Sequence, residues 1–340
     1  MKITHAAEHH SRREFLCRTS LAGLILLRPA SEATAGDARP GTKPLNGVFP
    51  IGSTPFTESD KLDLDCLAAE VKFCNRTGVH GLAWPQIASG WTTLSESERL
   101  DGAEAILAAG KGGRTVLAIG VQDKAGSVDQ AIKYARHAQS HGADAIVSLP
   151  PENSSDSAML DYYKTLGAAI DLPLFVQTQG STSVDLIVRM FQAIPTMKVV
   201  KDEAGNPLER ITPLRQRTSD KLAVFSGNGV RTMIDEMRLG FAGHCPTIGL
   251  ADLYQATWDL WHAGKHNEAF DMFGRIQAFG SIQGASAYVL VARGIFKEST
   301  KARAFSMGGG PARPTARLDE AQKKVIREAL DSYLKPYLRA

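Results

Sequence analysis

From Leu45 onward, short apolar runs rich in β-branched residues alternate with longer segments whose apolar positions recur every three or four residues. Runs of the first kind suit buried strands and segments of the second suit amphipathic helices, so the repetition predicts βα units around a parallel sheet. The predicted strands are Gly47–Ile51, Val79–Trp84, Thr115–Ile119, Ala145–Leu149, Leu174–Thr178, Lys198–Lys201, Ala223–Ser226 and Gly243–Pro246. Helices are predicted between them over Leu64–Arg76, Glu96–Ala109, Ser127–Ser140, Leu160–Ala169, Val184–Ala193, Pro207–Arg217 and Val230–Leu239. Gly78, Gly142 and Gly240 stand where helices should end, as left-handed caps require. Eight such strands fit a closed (β/α)8 TIM barrel better than a doubly wound sheet, and the turn Gly52-Ser-Thr-Pro-Phe56 carries no dinucleotide-binding pattern.

Beyond the eighth strand the periodicity continues over Leu250–Ala263, Asn267–Phe279 and Ser286–Lys297. A Gly/Pro-rich loop at Gly308–Pro314 then leads to a final amphipathic helix from Leu318 to about Leu334. The expected layout is a barrel over 45–262 with C-terminal helices, 263–340, packed against it.

The amino terminus follows another pattern. Ser11-Arg-Arg-Glu-Phe-Leu16, an apolar stretch over Leu21–Leu27 and the small-residue site Ala33-Thr-Ala35 have the order of a twin-arginine export signal. Residues 1–35 are therefore read as a signal peptide cleaved after Ala35, and 36–44 as a flexible lead-in. Export would place the protein in the periplasm or outside the cell.

Composition narrows the function. A chain of 340 residues that is 43% hydrophobic can bury a sizeable core, and a net charge of +3 without a dense basic cluster offers no footprint for nucleic acid. No apolar stretch is long enough to span a bilayer. Outside the signal there are three cysteines, Cys66, Cys74 and Cys245, an odd number that argues against a disulfide framework. Cys66 and Cys74 would lie about 12 Å apart along one helix, too far to bridge. No metal is expected.

Lys201 ends the apolar run Val199-Val200, at the carboxyl end of the predicted sixth strand, where barrels carry their reactive groups. A lysine captures carbonyls only after shedding a proton, because the ammonium has no lone pair. Asp202 and Glu203 would oppose that step if they pointed inward, so both are expected to face away or to be neutralised.

The surrounding sequence resembles the family of dihydrodipicolinate synthases and N-acetylneuraminate lyases, lysine-dependent class I pyruvate aldolases. The markers are Gly-Val-Phe-Pro-Ile-Gly-Ser-Thr-Pro-Phe at 47–56, Thr-Leu-Ser-Glu-Ser-Glu-Arg at 93–99 and Tyr-Ala-Arg-His-Ala-Gln-Ser-His-Gly-Ala-Asp-Ala-Ile-Val at 134–147. Val-Val-Lys-Asp-Glu-Ala-Gly at 199–205, Phe-Ser-Gly-Asn-Gly at 225–229 and Leu-Gly-Phe-Ala-Gly-His at 239–244 complete them. The resemblance implies a Schiff base between Lys201 and a 2-oxo acid, no organic cofactor, and assembly as a homo-oligomer, tetramer or dimer.

The chain also departs from that pattern. Where the family has Gly-Thr-Thr-Gly-Glu, it has Pro85-Gln-Ile-Ala-Ser-Gly-Trp91, leaving Ser89 and Gly90 as candidates for holding a carboxylate. Gln177 stands where the family supplies a proton-shuttling tyrosine, flanked by Thr178, and an amide cannot act as a general acid or base. Glu152 stands in the loop after strand four, either solvated or available for proton transfer. Ser226 and Asn228 follow strand seven and could bond substrate hydroxyls. The arginine of the synthase branch would fall near Thr182 and is missing, which argues against lysine-pathway synthase activity. Trp84 and Trp91 either line a pocket or pack at the rim, and His244 is either structural or at the site. The expectation is an exported lyase of aldolase or dehydratase type; the alternative is a non-catalytic periplasmic binding protein for oxo acids or sugar acids.

Overall fold

The computed structural model describes residues 43–306 and 318–339. The twin-arginine motif, its cleavage site and the lead-in as far as Thr42 lie outside the described residues, as does the Gly308–Pro314 loop.

Eight parallel strands form the centre: β1 (Gly47–Val48), β2 (Gly81–Trp84), β3 (Val116–Gly120), β4 (Ala145–Ser148), β5 (Leu174–Gln177), β6 (Met197–Asp202), β7 (Ala223–Ser226) and β8 (Gly243–His244). They are ordered β1-β8-β7-β6-β5-β4-β3-β2. The ends of that order meet where the Ala83 N–H donates to the Pro50 carbonyl and the Gly52 N–H donates to the Ala83 carbonyl, both at 3.0 Å. The sheet is thereby a (β/α)8 barrel.

The returning helices are α1 (Leu64–Thr77), α2 (Glu96–Ala109), α3 (Val128–Ser140), α4 (Asp156–Ala168), α5 (Val184–Ala193), α6 (Pro207–Arg217), α7 (Met233–Leu239) and α8 (Ala251–His262). One device starts the first five. Asp63, Ser95, Ser127, Ser155 and Ser183 each accept a hydrogen bond from the backbone N–H three residues on, satisfying a donor that the first turn leaves without a partner. The Ser155 cap explains why α4 begins four residues before the apolar periodicity that marked it. α7 begins three residues late because Asn228–Val230 form a separate tight turn with positive φ at Gly229 and Val230.

Inside the barrel, Phe49, Phe175 and Phe225 pack against one another with ring centroids 5.1–5.7 Å apart. Three rings fit because two neighbours are glycine. A Cβ at Gly81 would lie 2.2 Å from the Phe49 ring, and one at Gly243 would lie 2.3 Å from the Phe225 ring.

The chain continues as α9 (His266–Gly280), α10 (Ala285–Ala292) and α11 (Glu320–Ala329), the last followed by a wider turn over Leu330–Leu334. α10 stops five residues before its expected end, where Gly294 turns the chain at φ 68. These helices share a core with α7 and α8, including Leu253, Trp258, Ile276, Tyr288 and Ile326. Arg293 donates two hydrogen bonds of 2.7 Å to the two oxygens of Asp252, a buried fork that fastens α10 to α8. Among the described residues, no helix is long and apolar enough to cross a membrane.

Candidate active site

Strand alternation decides what enters the barrel mouth. Along β6, Val199 faces the interior and Val200 the helix layer, so with a period of two Lys201 and Glu203 fall on the inner face and Asp202 on the outer. Lys201 is 5% exposed, and its Nζ lies 3.3 Å from Glu203 Oε2. Gln177, the register partner of Lys201 on β5, donates from Nε2 to the same Glu203 oxygen. The backbone N–H of Asn228, beyond β7, donates to Glu203 Oε1 at 2.9 Å. The amine, the carboxylate and the amide thus form one cluster.

The expectation that Asp202 and Glu203 both turn away or are neutralised holds for one of them. Asp202 is buried behind the strand, where Arg210 of α6 reaches it with Nε at 2.7 Å and Nη2 at 3.1 Å. Glu203 instead turns toward the lysine, because a residue two positions on shares its face.

The remaining candidate residues divide clearly. Gln177 is fully buried beside Lys201, and its Oε1 has no hydrogen-bond partner among the described residues. Thr178 lies on the outer side. Its hydroxyl donates to Asp202 Oδ1 at 2.6 Å and accepts from the N–H groups of Glu203 and Ala204, so it shapes the end of β6 from behind.

Ser226 is likewise on the outer face, where its hydroxyl donates to Glu236 and lies 3.0 Å from His244 Nδ1. His244 Nδ1 is also 2.9 Å from Glu236 Oε2, so His244 belongs to a buried polar cluster between barrel and helices. Burial pushes the Glu236 carboxyl up, but the imidazole of His244 and the hydroxyls of Ser226 and Thr232 outweigh it and hold the group below its usual range.

Ser89 donates to the Gly52 carbonyl at 2.6 Å and accepts from the Gln86 N–H, pinning the β2 loop to the β1 loop. The Gly90 N–H is engaged by the Ile87 carbonyl, and Gly90 takes φ 66 under the Phe305 ring. As placed, these groups serve the turn. Trp84 is core, its indole N–H donating to Thr54, and Glu152 is exposed in the loop after β4.

Two mouth residues, Glu203 and Cys245, were not among the expected site residues. Glu203 was legible from the strand period alone. Cys245, just beyond β8, joins the interior cluster, and burial pushes its thiol up to about 12. It therefore stays protonated at neutral pH.

The barrel thus presents a buried amine against a carboxylate at the carboxyl end of its sixth strand, where barrels carry their reactive groups. Residues 44–330 match the model of the Dihydrodipicolinate synthetase family, and the chain belongs to that family. It is 31% identical over 310 residues to the N-acetylneuraminate lyase of Rhizobium meliloti (strain 1021), covering 84% of this chain and 94% of that protein. Among solved structures, the sialic acid aldolase of Ruminococcus gnavus superposes with a TM-score of 0.73 at 18% identity, covering 86% of this chain and 99% of the other. A prophage protein of the dihydrodipicolinic acid synthase family from E. coli K12, solved in complex with pyruvate, gives 0.70 at 18% identity, covering 85% and 98%. At such identities the structural likenesses bear on the fold alone.

Proposed function

We propose that the protein is an exported lyase that forms a Schiff base between Lys201 and a 2-oxo acid, with Glu203 moving the protons that the family tyrosine moves elsewhere. The observation that carries this reading is the 3.3 Å contact between Lys201 Nζ and Glu203 Oε2 inside the barrel mouth. Glu203 takes a proton from the ammonium, and the freed amine attacks the keto carbon, its second proton passing from nitrogen to the alkoxide oxygen to give a carbinolamine. Glu203 returns the proton to the carbinolamine hydroxyl, which leaves as water, and the imine nitrogen becomes the electron sink for loss of a proton or cleavage of a carbon–carbon bond alongside.

Gln177 does not transfer protons. Its Nε2 orients the carboxylate, and its partnerless Oε1 is an acceptor for a substrate or carbinolamine hydroxyl. The 2-oxo acid class is supported by membership of the family and by the 31% identical lyase of R. meliloti, whose named substrate, N-acetylneuraminate, is itself a 2-oxo acid.

The test is to incubate the purified protein with pyruvate and related 2-oxo acids, reduce with borohydride, and locate any adduct by mass spectrometry. An adduct on Lys201, absent from Lys201→Ala, supports the reading; no adduct with any of them overturns it. Trapping without turnover would favour the binding-protein alternative. Assembly as a homo-oligomer, checked by light scattering, belongs to the same proposal. So does export, which rests on Arg12 and Arg13 and should be lost when both are replaced by lysine.

A further inference from the structure

Toward the carboxyl ends of α2 and α3, away from the strand ends that carry Lys201, three side chains converge that take no part in that chemistry. Glu104 of α2 places Oε1 2.9 Å from Nε2 of His137 and 3.7 Å from Nε2 of His141. The three donor atoms all lie within 4.8 Å of one another. His137 and His141 are four residues apart, one helical turn, so both imidazoles project from the same side of α3. The expectation of no metal passed over this His-x-x-x-His spacing, which stands inside the 134–147 segment.

We propose that Glu104, His137 and His141 bind one divalent cation of the zinc class and thereby clamp α2 to α3. The spacing fits one tetrahedral ion. Ligand atoms about 2.1 Å from a tetrahedral zinc are about 3.4 Å from one another, and the two observed separations from Glu104 Oε1 bracket that value.

The backbone fixes the tautomer of His141. His141 Nδ1 donates to the His137 backbone carbonyl at 2.8 Å, which leaves the Nε2 lone pair toward Glu104. A ring nitrogen held by a backbone carbonyl while the other faces the metal is the usual support of a histidine ligand. Ser140 reinforces it, its hydroxyl donating to the same carbonyl at 2.9 Å.

The donor set selects the kind of cation. Two imidazoles and a carboxylate without thiolate suit zinc, copper and nickel rather than calcium or magnesium. Three protein ligands leave a fourth position for water, and all three residues reach solvent, so the cation can enter without unfolding. The carboxylate supplies charge that a pair of neutral imidazoles would lack.

The experiment uses the full-length chain, stripped with a chelator, and follows ZnCl2 by calorimetric titration and by thermal unfolding. One equivalent should bind and raise the melting temperature, as any ligand of the native state does. Affinity should fall roughly tenfold or more in Glu104→Gln and further in His137→Gln/His141→Gln, with the chelated variants melting close to the chelated parent. Absence of binding at about 0.1 mM zinc, roughly a hundred times a Kd of about 1 µM, would overturn the proposal. So would undiminished binding by the double variant, which would move the metal to His5, His9 and His10 of the amino-terminal segment. The readout is independent of lyase activity.

Discussion

Glu203 lies one strand period beyond Lys201 on the inner face of the barrel, and the two side chains meet at 3.3 Å. The pairing joins the proposed nucleophile to the proposed proton acceptor on the same short stretch of chain. A single substitution can therefore separate holding the substrate from moving its protons.

Glu203→Gln keeps the shape and the Asn228 contact but removes the base. Imine formation, followed as the rate of borohydride-trappable adduct, should slow about 10²- to 10⁴-fold, with far less change in substrate affinity. An unchanged rate would exclude Glu203 from proton transfer.

Gln177→Leu tests the orienting role. The buried Oε1 without a partner carries a desolvation cost of roughly 1–3 kcal/mol, which leucine removes, while Glu203 loses its Nε2 donor. The melting temperature should hold or rise as the trapping rate drops. A variant that is both less stable and fully active would contradict the assignment.

Arg210→Ala leaves Asp202 buried and unpaired behind Lys201. Breaking such a pair costs about 3–5 kcal/mol, to be read from urea unfolding at neutral pH. Arg210→Lys should recover part of the loss, since a single ammonium cannot reproduce the two-point contact.

Glu236→Gln tests the cluster with Ser226 and His244. The Glu236 carboxyl is depressed below its usual 4.5 in the folded protein, so the unfolded chain holds the proton more tightly. Its contribution to stability is present above about pH 4.5 and is lost as the pH falls through the folded value. The substitution should cost about 3 kcal/mol at pH 7, and the gap between variant and parent should narrow in acid. A gap that stays constant with pH would contradict the depressed value.

The barrel was legible because its signals are local. Eight apolar runs, the helical periodicity between them and the glycines at Gly78, Gly142 and Gly240 mark the units, and closure adds only the pairing of Pro50 and Gly52 with Ala83. Helix starts were less visible where a serine cap precedes the apolar stripe, as at Ser155.

At the site, Lys201 and Gln177 could be placed because both end buried strands. Ser226 and Thr178 are near them in sequence yet face outward, since a strand sends neighbouring side chains to opposite sides. Ser89 looked like a binding hydroxyl, but no short-range pattern discloses a bond to Gly52, 37 residues away.

The three phenylalanine rings that fill the barrel beneath Lys201 have a stereochemical consequence. They close the amino ends of the strands. In the proposed reaction an enamine on Lys201 would present one face to protein and the other to the mouth, and with a 2-oxo acid longer than pyruvate, whose enamine carbon becomes a stereocentre, quenching in heavy water should leave deuterium in a single configuration.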